Sequence, residues 1–443
     1  MTHDYSSEEQ CKIACAQNGL ALQYVIRQTD ELCKIACTQN GYAICYVKNR
    51  TDEICKIACA QNGRALQYVK NQTEELCKIA CMNDGLALQY VHNQTPDICK
   101  IACAQDGYAL QYVQTKTDEL CKIACTSNGR ALEYVKEQTE ELCKLACAQN
   151  GRALCYVKEQ TDELCKIACA QNAWALWYVH NQTPDICKLA CVQNGWALQY
   201  VQTKTDELCK IACAQNGYAL EYANEQTDEL CKIACAQNGC ALYYVHSQTE
   251  ELCKIACSQD GLALRFVKEQ TPYICKIACK NNGEALQYVK QQTEELCKIA
   301  CAQNGLALRF VGNYQTEELC KIACAQNGNA LKYVGNYQTE ELCKIACAQN
   351  GFAIQYIQCQ TPEICKIACA QNSWALQYCK TITAECFAFA DRNCLENIYY
   401  YLLRHNQLRV RELAITRANW PVFTNGTRDM LCADIYEHIK LFI

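Results

Sequence analysis

Cysteine is the residue in this chain with the most chemistry to offer. It recurs as Cys-x-x-x-Cys, first at Cys11/Cys15, then at Cys33/Cys37, Cys55/Cys59, Cys77/Cys81 and onward to Cys365/Cys369. Such pairs hold most of the 42 cysteines among 443 residues. Three chemistries fit the spacing. Reduced, each cysteine can serve as a small buried hydrophobe. Oxidised, the pairs would be disulfides, but positions one turn apart on an undistorted helix hold their Cβ atoms farther apart than the ~3.8 Å of an ordinary bridge. As thiolates, two cysteines one turn apart could share a soft ion such as Cu(I), and stacked pairs could complete a zinc tetrahedron. No histidine recurs with the pairs, and the Cys-x-x-Cys spacing of dithiol oxidoreductases is absent. No resident cofactor is expected.

Nothing else in the sequence assembles a reaction centre. The six histidines are scattered, and no Gly-rich phosphate loop follows a strand-like run. Carboxylates recur as helix-start residues rather than as a converging pair. The reading is of a protein that is not an enzyme. A formal net charge of -5 argues against a nucleic-acid or anionic-membrane partner along the surface. The start, Met1 to Gln10, has neither the basic nor the apolar region of a signal peptide. No run reaches the ~18 apolar residues of a membrane span. A cytoplasmic location is therefore expected.

The elements that carry the cysteines follow from the repeat. The unit reads Thr-Asp-Glu-Leu-Cys-Lys-Ile-Ala-Cys-Ala-Gln-Asn-Gly-x-Ala-Leu-Gln-Tyr-Val-Lys-x-Gln, 22 residues long, with one-residue insertions at Gly312-Asn313-Tyr314 and Gly335-Asn336-Tyr337. Threonine is a good N-cap, and acidic residues in the first turn suit the positive end of the helix dipole. Pro96, Pro184, Pro272 and Pro362 each follow that threonine, at the first helical position where a missing N–H costs nothing. Asn-Gly then predicts a left-handed helix stop, and Ala-Leu-x-Tyr-Val a second short helix. Helices this short need stacked neighbours. Leu32, Ile35 and Ala36 are expected to face the core with Cys33 and Cys37 on the flank, against Ala43, Ile44 and Val47 of the second helix. The fold class is all-α: an α-solenoid of about 17 helix–turn–helix repeats over 1–380, a degenerate eighteenth repeat from Thr383, and a helical C-terminal cap within 381–443.

The second half of the unit, Asn-Gly-x-Ala-Leu-x-Tyr after a helix starting Asp-Glu-Leu, resembles the tandem helical repeats called domain of unknown function 4116, abundant in giant viruses of amoebae. The resemblance spans most of the chain and implies an all-α repeat fold and a viral setting, in the infected host cell or the virion. It implies no activity. Repeats of that family tend to carry aliphatic residues in the slots of Cys33 and Cys37, which implies core positions converted to cysteine.

Binding surfaces of repeat arrays lie where exposed positions differ between copies. The residue after Asn-Gly varies freely, and the position three later carries Trp177, Tyr243, Arg265 and Arg309. Trp174, Trp177, Trp196, Tyr218 and Tyr243 cluster in consecutive units. Grouped exposed aromatics are what protein interfaces favour; packing of each ring on the next helix is the competing reading. The functional expectation is a protein-interaction or structural scaffold with another protein as partner and self-association left open. Its competitor is a thiol-rich structural protein with disulfide-linked or metal-loaded pairs.

Overall fold

A computed structural model of the chain describes residues 7–380 and 384–387. The expected cap lies outside the described residues. Seventeen repeats follow one another, each a ten-residue α-helix and a six-residue 3₁₀ helix, from Glu8–Gln17 with Gly19–Tyr24 to Pro362–Gln371 with Ser373–Tyr378. A degenerate eighteenth copy contributes, among the described residues, the helix Ala384–Phe387. The chain divides into two units, Met1–Asn224 with ten repeats and Glu225–Ile443 with the other seven. Each is an all-α solenoid.

The α-helices start as the caps dictate. Thr29 Oγ1 accepts from the Leu32 N–H at 3.4 Å, and the four prolines sit at the first helical positions. The helix stop differs from expectation. No described residue has positive φ. Asn40 (φ -150°, ψ 112°) is extended, ends the α-helix by donating its N–H to Ala36 O, and begins the 3₁₀ helix by accepting from Tyr42 N through Oδ1 at 3.0 Å. One residue thus caps two helices, and Asp84, Asp106 and Asp260 do the same with a carboxylate oxygen. Glycine follows for a different reason, close approach. A Cβ on Gly41 would lie 2.4 Å from the Ala58 carbonyl oxygen of the next repeat.

The core stripe is also rotated from the expected one. Leu32, Cys33, Ala36 and Cys37 are the buried residues of their helix, whereas Ile35 is only half-buried. Two adjacent i,i+4 rows, Leu32/Ala36 and Cys33/Cys37, make the interior face. Because each helix is packed between neighbouring repeats and its own 3₁₀ helix, the buried arc widens to take in the cysteines.

Two side-chain amides, most often glutamines, stitch most repeats to their neighbours. Gln39 Oε1 accepts from Gly19 N of the preceding repeat at 2.6 Å, and its Nε2 donates to Gln17 O at 3.4 Å. Gln28 works forward: Nε2 donates to Tyr46 O and Oε1 accepts from Lys48 N, both at 3.0 Å. In the second unit Gln303 and Gln270 repeat these roles. The one-residue insertions fall outside the glycine ladder, since Gly305 N still meets Gln326 Oε1 at 2.6 Å. A third, ionic ladder explains the lysine after the first cysteine. Lys34 pairs with Glu53 of the next repeat at 2.6 Å, and Lys56 reaches both Asp52 of its own helix and Glu75 of the next. Exposed pairs like these contribute little individually, but they favour the register in which neighbours stack.

Candidate functional site

The thiols come first, since their chemistry depends on burial. Cys37, Cys59 and Cys81, the second members of their pairs, have no exposed surface. Burial, with the neighbouring thiols adding to it, pushes each up to about 12. Cys33, Cys55 and Cys77 are buried too and are likewise raised, chiefly by burial. Cys33 donates weakly to Gln28 Oε1 at 3.9 Å, and Cys77 to Gln72 Oε1 at 3.7 Å, so the first cysteine of a pair helps hold the forward stitch. Among the described residues no two cysteines are joined as a disulfide. Among the described residues no three His, Cys, Asp or Glu side chains converge as a metal-holding group. A neutral thiol is neither a nucleophile nor a good ligand until it loses its proton, and these interiors oppose that loss.

The aromatic residues take up a regular lateral packing. The ring after the Asn-Gly step lies against the conserved aromatic of the next repeat: Tyr42 on Tyr68, Tyr108 on Tyr134, Trp196 on Tyr222 and Phe352 on Tyr378, at centroid distances of 5.8–6.3 Å. Trp196 also meets Tyr218, at 6.2 Å. Tyr243 belongs to the second unit, where it packs on Tyr244 and Phe266 while staying 64% exposed. Neighbour packing therefore accounts for much of the aromatic cluster, though not for its most exposed member.

That member is Trp177, 65% exposed. Residues three apart eclipse on a 3₁₀ helix, so Trp174 and Trp177 of Ala173–Tyr178 project side by side. Both set their edges against Tyr200 of the next repeat, at 5.6 and 5.1 Å. Together with Arg152 and Tyr178 these three residues line an open groove of about 230 Å³.

The groove coincides with a flaw in the stacking rule. Position 173 is alanine where the other repeats of this unit have glycine. The bond from Ala173 N to Gln193 Oε1 stretches to 3.2 Å, against 2.5 Å from Gly195 to Gln215 and 2.6 Å from Gly151 to Gln171. The cap of the following helix, Thr183, makes no side-chain cap bond. A methyl group facing the next repeat's backbone is the physical cause: glycine was needed for the approach, and alanine holds the neighbours apart. Ala173 and Tyr200 are not singled out by the sequence, whereas Arg152 is one of the freely varying residues after Asn-Gly. The signal for the first was the lone Asn172-Ala173 among Asn-Gly steps. Restoring the rule is a test. Ala173→Gly is expected to shorten the ladder bond toward 2.6 Å as at Gly151 and to slow hydrogen exchange at the amide of residue 173; an unchanged exchange rate would refute the wedge.

Neither a scan of protein-family models nor a search of curated proteins finds a match to this sequence. The functional reading therefore rests on the fold and on this geometry.

Proposed function

We propose that the chain is a non-enzymatic scaffold that docks a partner protein on the aromatic groove of the eighth and ninth repeats. The observation that carries this reading is the coincidence, among the described residues, of the most exposed tryptophan, the open groove and the single alanine wedge at one repeat junction. A segment that lays an apolar side chain against Trp177 and Tyr200 and turns an acceptor toward Arg152 suits the groove. Large aromatics and arginine are the residues that most often dominate binding energy. The inertness of the deeply buried thiols speaks for structural rather than chemical use of the pairs along the array. No helix among the described residues is long and apolar enough to cross a membrane. Kinship with the giant-virus repeats belongs to the same proposal; it would set the scaffold in the cytoplasm of an infected cell or in a virion.

Trp177→Ala is the direct test because the side chain is mostly outside the fold. Partner capture is expected to weaken by on the order of 30-fold, as for a hot spot of about 2 kcal/mol, with the melting transition unchanged. Cross-links from a photoreactive group at position 177 should map to the captured protein. Undiminished capture by the variant would sink the docking site.

A further inference from the structure

The seventeenth repeat and the degenerate copy after it each depart from the rest at one interior slot. Cys379 stands at the register of Val47, where other repeats have valine, alanine or isoleucine. Cys386, in the degenerate copy, stands at the register of Leu32 and Ile364. Both slots face the ordinary pair Cys365/Cys369. The result is a cluster of four buried cysteines, none more than 1% exposed, with Cys379 Sγ 3.8 Å from Cys369 Sγ. Cys379 also contacts the thiol of Cys365, and Cys369 that of Cys386.

The electrostatics of this cluster are unlike those of the other pairs. The contacts with Cys379 and then Cys386 hold the Cys369 thiol below the ordinary range despite its burial. The same contacts, to Cys365 and Cys369, push Cys379 up. One sulfur is thus favoured to carry the shared negative charge while its neighbour keeps a proton. In the preceding repeat, by contrast, burial pushes the second cysteine, Cys347, up to about 12.

We propose that Cys369 and Cys379 are an oxidisable pair, a disulfide site that peroxide closes selectively while the other pairs stay reduced. The Cys369 thiolate attacks one peroxide oxygen, breaking the O–O bond to give a sulfenic acid and hydroxide, which leaves as water with the proton Cys369 has shed. Cys379 sulfur then attacks the sulfenic sulfur. The S–S bond forms and hydroxide departs, taking the Cys379 proton as a second water. Two thiols lose two hydrogens, and one peroxide becomes two waters. Local opening of the repeat gives the oxidant access to the buried pair. The bond ties the end of the α-helix Pro362–Gln371 to the residue after its 3₁₀ helix Ser373–Tyr378, bracing the two helices of this repeat against each other.

Trypsin makes the test unambiguous, since cleavage after Lys366 and Lys380 leaves Cys369 and Cys379 on one peptide. The full chain is reduced, freed of reductant, exposed to hydrogen peroxide without denaturant, then alkylated in denaturant and digested. The expected product is the 367–380 peptide lighter by two hydrogens and unalkylated, with the cysteines of earlier repeats fully alkylated. Cys379→Val restores the residue most repeats carry, so folding is preserved, and the two-hydrogen shift should be lost. Full alkylation of the wild-type peptide would overturn the proposal. So would Cys379 joined to the peptide of Cys365 or of Cys386, equal oxidation of the other pairs, or tightly held zinc that shields the cluster from peroxide.

Discussion

Alkali is expected to melt this array at a pH where most helical proteins of similar composition persist. The thiols of Cys37, Cys59, Cys81, Cys103, Cys125 and Cys147 are each pushed from 9.0 to about 12 by burial in the first unit alone. A raised thiol value means that the folded chain holds the proton more tightly than the unfolded chain does. Stability is therefore full below pH 9, falls as the unfolded state ionises above it, and is lost as pH climbs toward about 12. Each such thiol withdraws about 1.4 kcal/mol per pH unit in that window. A repeat of this size holds on the order of 1–3 kcal/mol of net stability, so about one to two pH units above 9 should exhaust it. Circular dichroism against pH, at constant ionic strength, should show helicity collapsing between about pH 10 and 11. Replacing Cys103, Cys125 and Cys147 by alanine should make that fall shallower, whatever it does to stability at neutral pH. Helicity retained to about pH 12, or a slope indifferent to those substitutions, would show that these thiols are not what holds the interior neutral.

The repeat, its phase and its caps were legible because each rests on local chemistry. Threonine before Asp-Glu, proline at the first helical position and the apolar pair Leu32/Ala36 speak within a single helix. What was not legible depends on the neighbour. A six-residue run such as Gly41–Tyr46 is too short for its pattern to separate a 3₁₀ helix from an α-helix, so only its helical nature was evident. Asn-Gly fits both a left-handed stop and a close approach, and the choice lies in where Ala58 O sits in the next repeat. Gln28 and Gln39 carry no signature of their own, since an amide becomes a stitch only when another repeat's backbone reaches it. The lysine after the first cysteine carries no sign of its partner either, which is an acid in the following copy. The aromatic stripe was visible as composition. That Trp174 and Trp196 rest on Tyr200 and Tyr222, leaving Trp177 as the free face, followed from stacking.

A bulkier wedge at an undisturbed junction should break the stack into separately melting blocks. Gly85 shows the constraint: a Cβ there would lie 2.5 Å from Ala102 O, 2.8 Å from Gln105 Oε1 and 2.9 Å from Asp106 N. Two of those three neighbours are backbone, so the strain cannot be relieved by turning a side chain. Alanine at 173 shows that one methyl is tolerated by stretching the ladder bond to 3.2 Å. Valine adds two methyls to the same gap and also displaces the Gln105 amide, which now accepts from Gly85 N at 2.6 Å. Overpacking of this kind costs about 3 kcal/mol, comparable to what a repeat holds in total. In a stack where each repeat is supported only by its neighbours, that cost falls on one junction. For Gly85→Val, hydrogen exchange should speed up roughly 100-fold at the amides of Glu74–Asn83 and Pro96–Gln105, with protection elsewhere in the first unit nearly unchanged. Gly85→Ala should give the same pattern at a fraction of the effect. A uniform loss of protection along the unit would mean that it opens as a single cooperative body, and that the glycine ladder does not act junction by junction.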